Sequence, residues 1–204
     1  MKRFILSILM FSAACSYTLA DDPDFEIPQA KKYQNNEDCI ADNGIALKSA
    51  KYLLSTELPT DAFYAKKAGD FVLLWTFSTP EFVVLIDEIN LGLIETCGND
   101  NEKKKLLDEA YLSAFTIYRM ETKKVYDFTF DAHHFAMEST LAFYKKNIEY
   151  FGKCKALDKL LKLQEKGKLK DELEKKFNKK IKTATPENTK KINPDKAKKH
   201  SYLI

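Results

Sequence analysis

Residues that form tight turns are scarce in this chain, which contains six Gly and six Pro among 204 residues. β-Sandwiches and barrels need many tight turns, so this composition favours helices. Long apolar runs are also lacking. Beyond Ala20 no apolar run is longer than the five residues of 82–86, which is far too short to cross a bilayer. We therefore expect no transmembrane segment.

The motifs of common enzyme classes are missing as well. The chain has no Gly-x-Ser-x-Gly, no Cys-x-x-Cys, no glycine-rich phosphate loop and no His-Glu-x-x-His. We therefore assign no catalytic residue and no cofactor. The net charge of +3 divides unevenly along the chain: residues 1–20 carry +2, residues 179–204 carry +6, and residues 21–178 carry −5. The predicted body is acidic and shows no concentrated basic face, so we expect no nucleic-acid partner.

The N-terminal segment 1–20 has the three parts of a secretory signal in order. Lys2 and Arg3 are followed by an apolar segment at 4–11, and Thr18 and Ala20 suit a cleavage site before residue 21. The sequence predicts export to the periplasm or the extracellular space. An alternative is acylation at Cys15, because Ser12-Ala13-Ala14-Cys15 resembles a lipobox, although Ser stands where Leu is usual. Acylation would make the protein a lipoprotein of the envelope.

The rest of the chain divides into a polar leader at 21–36, a helical domain at 37–178 and a Lys-rich tail at 179–204. Apolar residues at helical spacing predict an all-α, up-and-down array of about six helices. The tail has two Pro and no apolar periodicity, so we expect it to be disordered. The predicted helices cover 37–55, 61–77, 80–97, 102–120, about 127–150 and 154–165, with a short helix after Gly167. For the start of the segment 80–97, a short strand stays open as an alternative.

One group of polar residues could bind a metal. On the fifth predicted helix, Asp127, Asp131, His134 and Glu138 fall within a sector of about 60°. Asp131, His134 and Glu138 are therefore weak candidates for metal ligands, with a further ligand from another helix. The competing interpretation, which we prefer, is the solvated stripe of a mostly buried helix. His133 points about 100° away from this stripe.

Cleavage after Ala20 leaves Cys39, Cys97 and Cys154, of which two should pair in an oxidising compartment. If successive helices alternate in direction, Cys97 and Cys154 lie at one end of the array and Cys39 at the other. A helix of 17 residues is about 25 Å long, whereas bridged Cα atoms lie within about 7 Å. The sequence therefore predicts a Cys97–Cys154 disulfide.

Two segments carry a resemblance. The stretch 139–169 (STLAFYKKNIEYFGKCKALDKLLKLQEKGKL), together with 75–80 (WTFSTP), resembles a group of uncharacterised exported helical bacterial proteins. The shared features are a Trp, a Thr-Pro joint, an FYKKN-like helix end and a Lys/Leu-rich helix pair. The resemblance implies export and helicity and implies no activity.

The sequence thus predicts an exported, non-enzymatic envelope protein that binds a protein partner or a small apolar ligand between helices. The alternative is a metal-dependent envelope enzyme that uses the acid/His stripe of the fifth helix.

Overall fold

The computed structural model describes residues 23–80, 94, 97–123 and 129–183, with side chains up to 179. Within these residues the chain forms eight α-helices and no β-strand. The all-α class predicted from the sequence is confirmed. The helices are α1 (Asn36–Ala41), α2 (Asn43–Ser55), α3 (Ala62–Ser78), α4 (Asn101–Thr122), α5 (Phe130–Lys146), α6 (Ile148–Phe151), α7 (Lys155–Glu165) and α8 (Leu169–Thr183).

Side chains and backbone conformation fix several helix boundaries. The carboxylate of Asp100 accepts hydrogen bonds from the N–H groups of the first turn of α4, and Thr129 does the same for α5. Lys123 ends α4 in the left-handed conformation, with φ of 53°. The predicted joint at 121–126 therefore begins where expected, and Gly152 and Gly167 supply two further turns at positive φ.

Helices α2, α3 and α4 pack against one another, and α5 lies along α4. Helix α3, predicted at 61–77, buries one apolar side formed by Ala68, Phe71, Val72 and Trp75, which are all 0% exposed. The last two helices, α7 and α8, contact each other and both contact α5. They form a helical hairpin on the outside of the array.

Helix α4 is buried on nearly every side. Its apolar residues face the core as predicted, but Glu109, Ser113, Thr116 and Arg119 on its remaining faces are also buried. No charge occurs between Glu109 and Arg119, which is the sequence signal for a helix surrounded by protein. The structure therefore encloses polar groups that were not predicted to be buried.

Several predicted boundaries change. The first predicted helix, 37–55, is interrupted at Asp42, which accepts a hydrogen bond from Tyr33 (2.8 Å) and pairs with Lys31 (2.9 Å), both in the leader. The fifth predicted helix ends at Lys146, where the short α6 follows. Helix α8 continues to Thr183, so the start of the predicted tail is helical.

Other predictions fall on residues that the structure does not describe. These are the signal at 1–20, most of the segment 80–97 and the tail from 184 onward. Within the described ranges, no helix has both the length and the apolar content needed to cross a bilayer.

Candidate functional site

The acid/His stripe lies on the outer side of α5. His134 Nε2 lies 3.6 Å from Glu138 Oε1, one helical turn away, while Asp131 is exposed in the first turn. Asp127 lies outside the described residues. In the described part of the chain, no three His, Cys, Asp or Glu side chains form a group that could hold a metal. The structure thus brings together two of the three candidate ligands as an i, i+4 pair.

His133 lies on another side of the same helix and is fully buried. Its Nδ1 shares a hydrogen bond of 3.0 Å with the hydroxyl of Tyr111 on α4. Its ring stacks on Phe177 of α8, with ring centroids 5.8 Å apart. This imidazole is part of the core that joins α4, α5 and the hairpin.

A buried carboxyl group lies between α3 and α4. Glu109 is 2% exposed, and its carboxyl packs directly on the backbone of Gly69. A Cβ atom at Gly69 would lie only 2.2 Å from Glu109 Oε2. Lys105 lies 3.6 Å from Glu109 Oε1, and its ammonium donates a hydrogen bond of 2.6 Å to Asp70. The cation beside Glu109 is therefore shared with a second carboxylate.

This environment raises the pKa of Glu109 to about 8, from an ordinary value of 4.5. Burial is the main cause, because a charged carboxylate loses its hydration inside the protein. The negative charge of Asp70 raises the pKa further, and the positive charge of Lys105 opposes the shift. Glu109 is therefore mostly protonated at neutral pH. Because its carboxyl is enclosed, we assign it to the packing of α3 on α4 and not to a reaction.

The predicted disulfide is present. The sulfur atoms of Cys97 and Cys154 are 2.03 Å apart, which joins the segment before α4 to the first residue of the hairpin. Cys39 lies outside this bridge and is buried beside α3, where its carbonyl accepts a hydrogen bond of 3.0 Å from the Trp75 indole. Trp75 belongs to the end of α3 opposite to the bridge, as the alternation of helix directions requires.

The hairpin carries a concentrated basic surface that was not predicted from the sequence. Between residues 153 and 183 there are twelve Lys and five Asp or Glu, a net charge of +7. Five apolar residues of the hairpin face inward and are buried, namely Leu157, Leu160, Leu169, Leu173 and Phe177, and Leu161 and Leu163 are half-buried. We call the opposite, solvent-facing side the lysine face. Its exposed lysines, on both helices and the turn between them, are Lys155, Lys159, Lys162, Lys166, Lys168 and Lys175, and the exposed acids of the hairpin are Glu165, Asp171 and Glu174.

The lysines of α7 recur at i, i+4, i+7 and i+11, from Lys155 to Lys166 at the C-cap. This spacing places the four of them within a sector of about 60°. None of the six lysines forms an ion pair with another residue in the described ranges. The same spacing was visible in the sequence, but it fell inside the segment 21–178, whose acidic average concealed it.

The hairpin is attached firmly to the rest of the protein. The hydroxyl of Tyr144 on α5 accepts a hydrogen bond from the N–H of Cys154 (2.9 Å) and lies 2.8 Å from Asp158 Oδ1 on α7. Burial raises the pKa of this phenol, and its bond to the Asp158 carboxylate raises it further. At the other end, the ring of Phe177 packs on Phe130, with centroids 5.7 Å apart. The lysine face is therefore held in one orientation on the protein.

Charge is divided between the hairpin and the rest of the protein. Residues 21–152 carry 23 acidic and 14 basic side chains, a net charge of −9, whereas residues 153–204 carry +10. The predicted boundary of the basic region at 179 therefore lies too far along the chain, because the basic region begins at 153. Comparisons with family models, with curated proteins and with solved structures yield no match to this chain. The resemblance to exported helical proteins stays a prediction.

Proposed function

We propose that the protein is an exported, non-enzymatic component of the cell envelope that binds a polyanionic partner through the lysine face of the α7–α8 hairpin. The observation that carries the proposal is the stripe of four exposed lysines along α7. None of the four forms an ion pair with an Asp or Glu in the part of the chain that the structure describes. Six like charges on one fixed surface repel one another, and a polyanion relieves that repulsion.

Export rests on two features. The first is the ordered signal pattern of residues 1–20, ending in Thr18-Leu19-Ala20. The second is the Cys97–Cys154 pair at bonding distance, which suits an oxidising compartment. Acylation at Cys15 remains the alternative route to the envelope.

A surface partner agrees better with the packing than a small apolar ligand held between helices. The space between α2, α3 and α4 is filled by large side chains that are at most 1% exposed, including Phe71, Trp75 and Phe115. For the alternative of a metal-dependent enzyme, the described residues offer only the His134–Glu138 pair, and no further observation favours it.

The proposal is tested with two triple variants of residues 21–204 that have the same net charge. In the first variant, three lysines of the lysine face are replaced by Gln, at Lys155, Lys159 and Lys162. In the control variant, three lysines of the acidic part are replaced by Gln, at Lys32, Lys67 and Lys145. Gln preserves helix propensity, so both variants should keep the circular dichroism of the parent.

The measurement is the salt concentration that elutes each protein from immobilised heparin, a polyanion without lipid. We expect the lysine-face variant to elute at clearly lower salt than the control, because a clustered charge binds a polyanion more strongly than scattered charges. Equal elution of the two variants would contradict the proposal.

A further inference from the structure

We propose that the polyanion bound by the lysine face is the surface of an anionic phospholipid bilayer. This inference rests on the proposed function, since it uses the same surface. It adds the chemical class of the partner and the orientation in which the protein docks.

The first argument is the shape of the lysine face. The stripe from Lys155 to Lys166 extends over about 16 Å along the helix axis. Lys168 in the turn and Lys175 on α8 extend this surface beyond α7. Helix α8 packs beside α7, and both helices contact α5. Because both helices bury their apolar sides against the protein, the lysines extend away from it together. A broad array of this kind can contact many headgroups of a planar surface at once.

The second argument is the kind of side chain. The chain contains only two Arg, Arg3 and Arg119, and neither belongs to the hairpin. Arg is the residue that recognises individual phosphates by paired hydrogen bonds, whereas Lys acts as a mobile point charge. From 153 to 183 the only aromatic residue is Phe177, which is buried. The surface therefore lacks the stacking groups that single-stranded nucleic acids use.

The third argument is the charge of the remaining protein. Residues 21–152 carry −9, so an anionic membrane repels this part while it attracts the hairpin. The repulsion and the attraction turn the molecule in the same direction, so both favour the orientation in which the lysine face is toward the lipid. The Cys97–Cys154 disulfide and the Tyr144 contacts transmit this orientation to the helical array. Residues 184–204, with five Lys and two acids, add +3 directly after the hairpin in the sequence.

The binding should be electrostatic and peripheral. Up to residue 179, the leucines and the phenylalanine of the hairpin are buried or packed half-buried against the core, so they offer little apolar surface to the bilayer. Each lysine near an anionic membrane contributes roughly 1 kcal/mol. Removing three of them should therefore weaken binding about a hundredfold at low salt. Raising the salt well above physiological strength should release the protein, since screening shortens the range of the attraction.

The test uses residues 21–204, because the apolar segment predicted as a signal would itself bind lipid. Co-sedimentation is measured with vesicles of phosphatidylcholine alone and with vesicles that also contain phosphatidylglycerol. The proteins are the parent, the lysine-face variant and the control variant described above. We expect the parent and the control to sediment with the anionic vesicles only, and the lysine-face variant to bind them about a hundredfold more weakly.

Three outcomes would overturn the inference: absence of binding to anionic vesicles, equal binding to both kinds of vesicle, or equal binding by the two variants. If heparin retention depends on the lysine face while vesicle binding fails, the polyanionic partner is not a membrane and the proposed function stands. If heparin retention also fails to distinguish the variants, both proposals are wrong.

Discussion

Replacing Glu109 by Gln should make the protein more stable at neutral pH, although it changes a side chain that is buried in the core. Gln has the shape of the protonated acid and stays neutral at every pH. In the folded protein the pKa of Glu109 is about 8, and its ordinary value is 4.5. Between these values the unfolded chain releases the proton while the folded protein must keep it, so the unfolded state gains stability as the pH rises.

The size of the effect follows from the two pKa values. Each pKa unit corresponds to about 1.4 kcal/mol. From pH 4.5 to pH 7 the free energy of unfolding therefore falls by about 3 kcal/mol relative to that of the same protein without this acid. The loss stops growing once the pH passes the folded pKa, because both states are then ionised. The two proteins should have similar stability near pH 4, where both Glu109 and Gln are neutral.

Urea unfolding of the parent and of Glu109→Gln, from pH 4 to pH 8.5, measures this difference. Other groups titrate in both proteins, so the difference between the curves isolates Glu109. Glu102→Gln on the same helix is the matched control, because Glu102 is exposed and its pair with Lys66 should contribute less than about 1 kcal/mol. Parallel curves for the parent and Glu109→Gln, or a variant that is less stable throughout, would refute the reasoning.

Three further predictions concern stability and are checked by thermal or urea unfolding. Cys97→Ser together with Cys154→Ser should destabilise the protein by roughly 4 kcal/mol, because the bridge closes a loop of 57 residue steps; an unchanged midpoint after reduction of the parent would speak against this. Gly69→Ala should cost about 1–3 kcal/mol by overlap with the Glu109 carboxyl, and the cost should shrink in a Glu109→Ala background. Removal of residues 184–204 should leave the melting temperature within about 5 °C of the parent value, and a larger fall would show that the tail packs on the protein.

Helical periodicity was enough to predict which residues of α3 enter the core, because this helix exposes one face and buries the other. The positions 64, 68, 71, 72 and 75 illustrate this for α3, where all but Tyr64 are fully buried. The disulfide could be predicted as well, since it depends on which end of each helix a cysteine occupies. This argument needs the number and direction of the helices and tolerates errors of a few residues at their ends.

The buried acid and the lysine face could not be predicted in the same way, for two different reasons. Glu109 depends on a contact between α3 and α4, in which Gly69 provides the space, and no spacing within one helix encodes that contact. The spacing of the lysines at 155–166 is visible in the sequence, but the net charge was summed over 21–178, where the preceding acidic residues outweigh them. A charge total taken over a predicted domain conceals a boundary that falls inside the domain.

The FYKKN-like helix end in the segment 139–169 acquires a structural explanation. Asn147, the last residue of FYKKN, is 2% exposed and ends α5. Its side-chain oxygen accepts a hydrogen bond of 2.7 Å from the N–H of Leu58, and its side-chain nitrogen donates one of 3.2 Å to the Thr56 carbonyl. The end of α5 therefore holds the loop between α2 and α3.

Helix α5 thus connects the two parts of the protein that differ in charge. Through Asn147 it holds the loop of the acidic array, and through Tyr144, within the same helical turn, it holds Cys154 and Asp158 of the basic hairpin. Both attachments use hydrogen bonds in largely buried surroundings, which resist displacement because breaking one leaves a polar group without water. A torque on the lysine face at a charged surface is consequently transmitted to the whole array, so electrostatic docking would orient the molecule as one body.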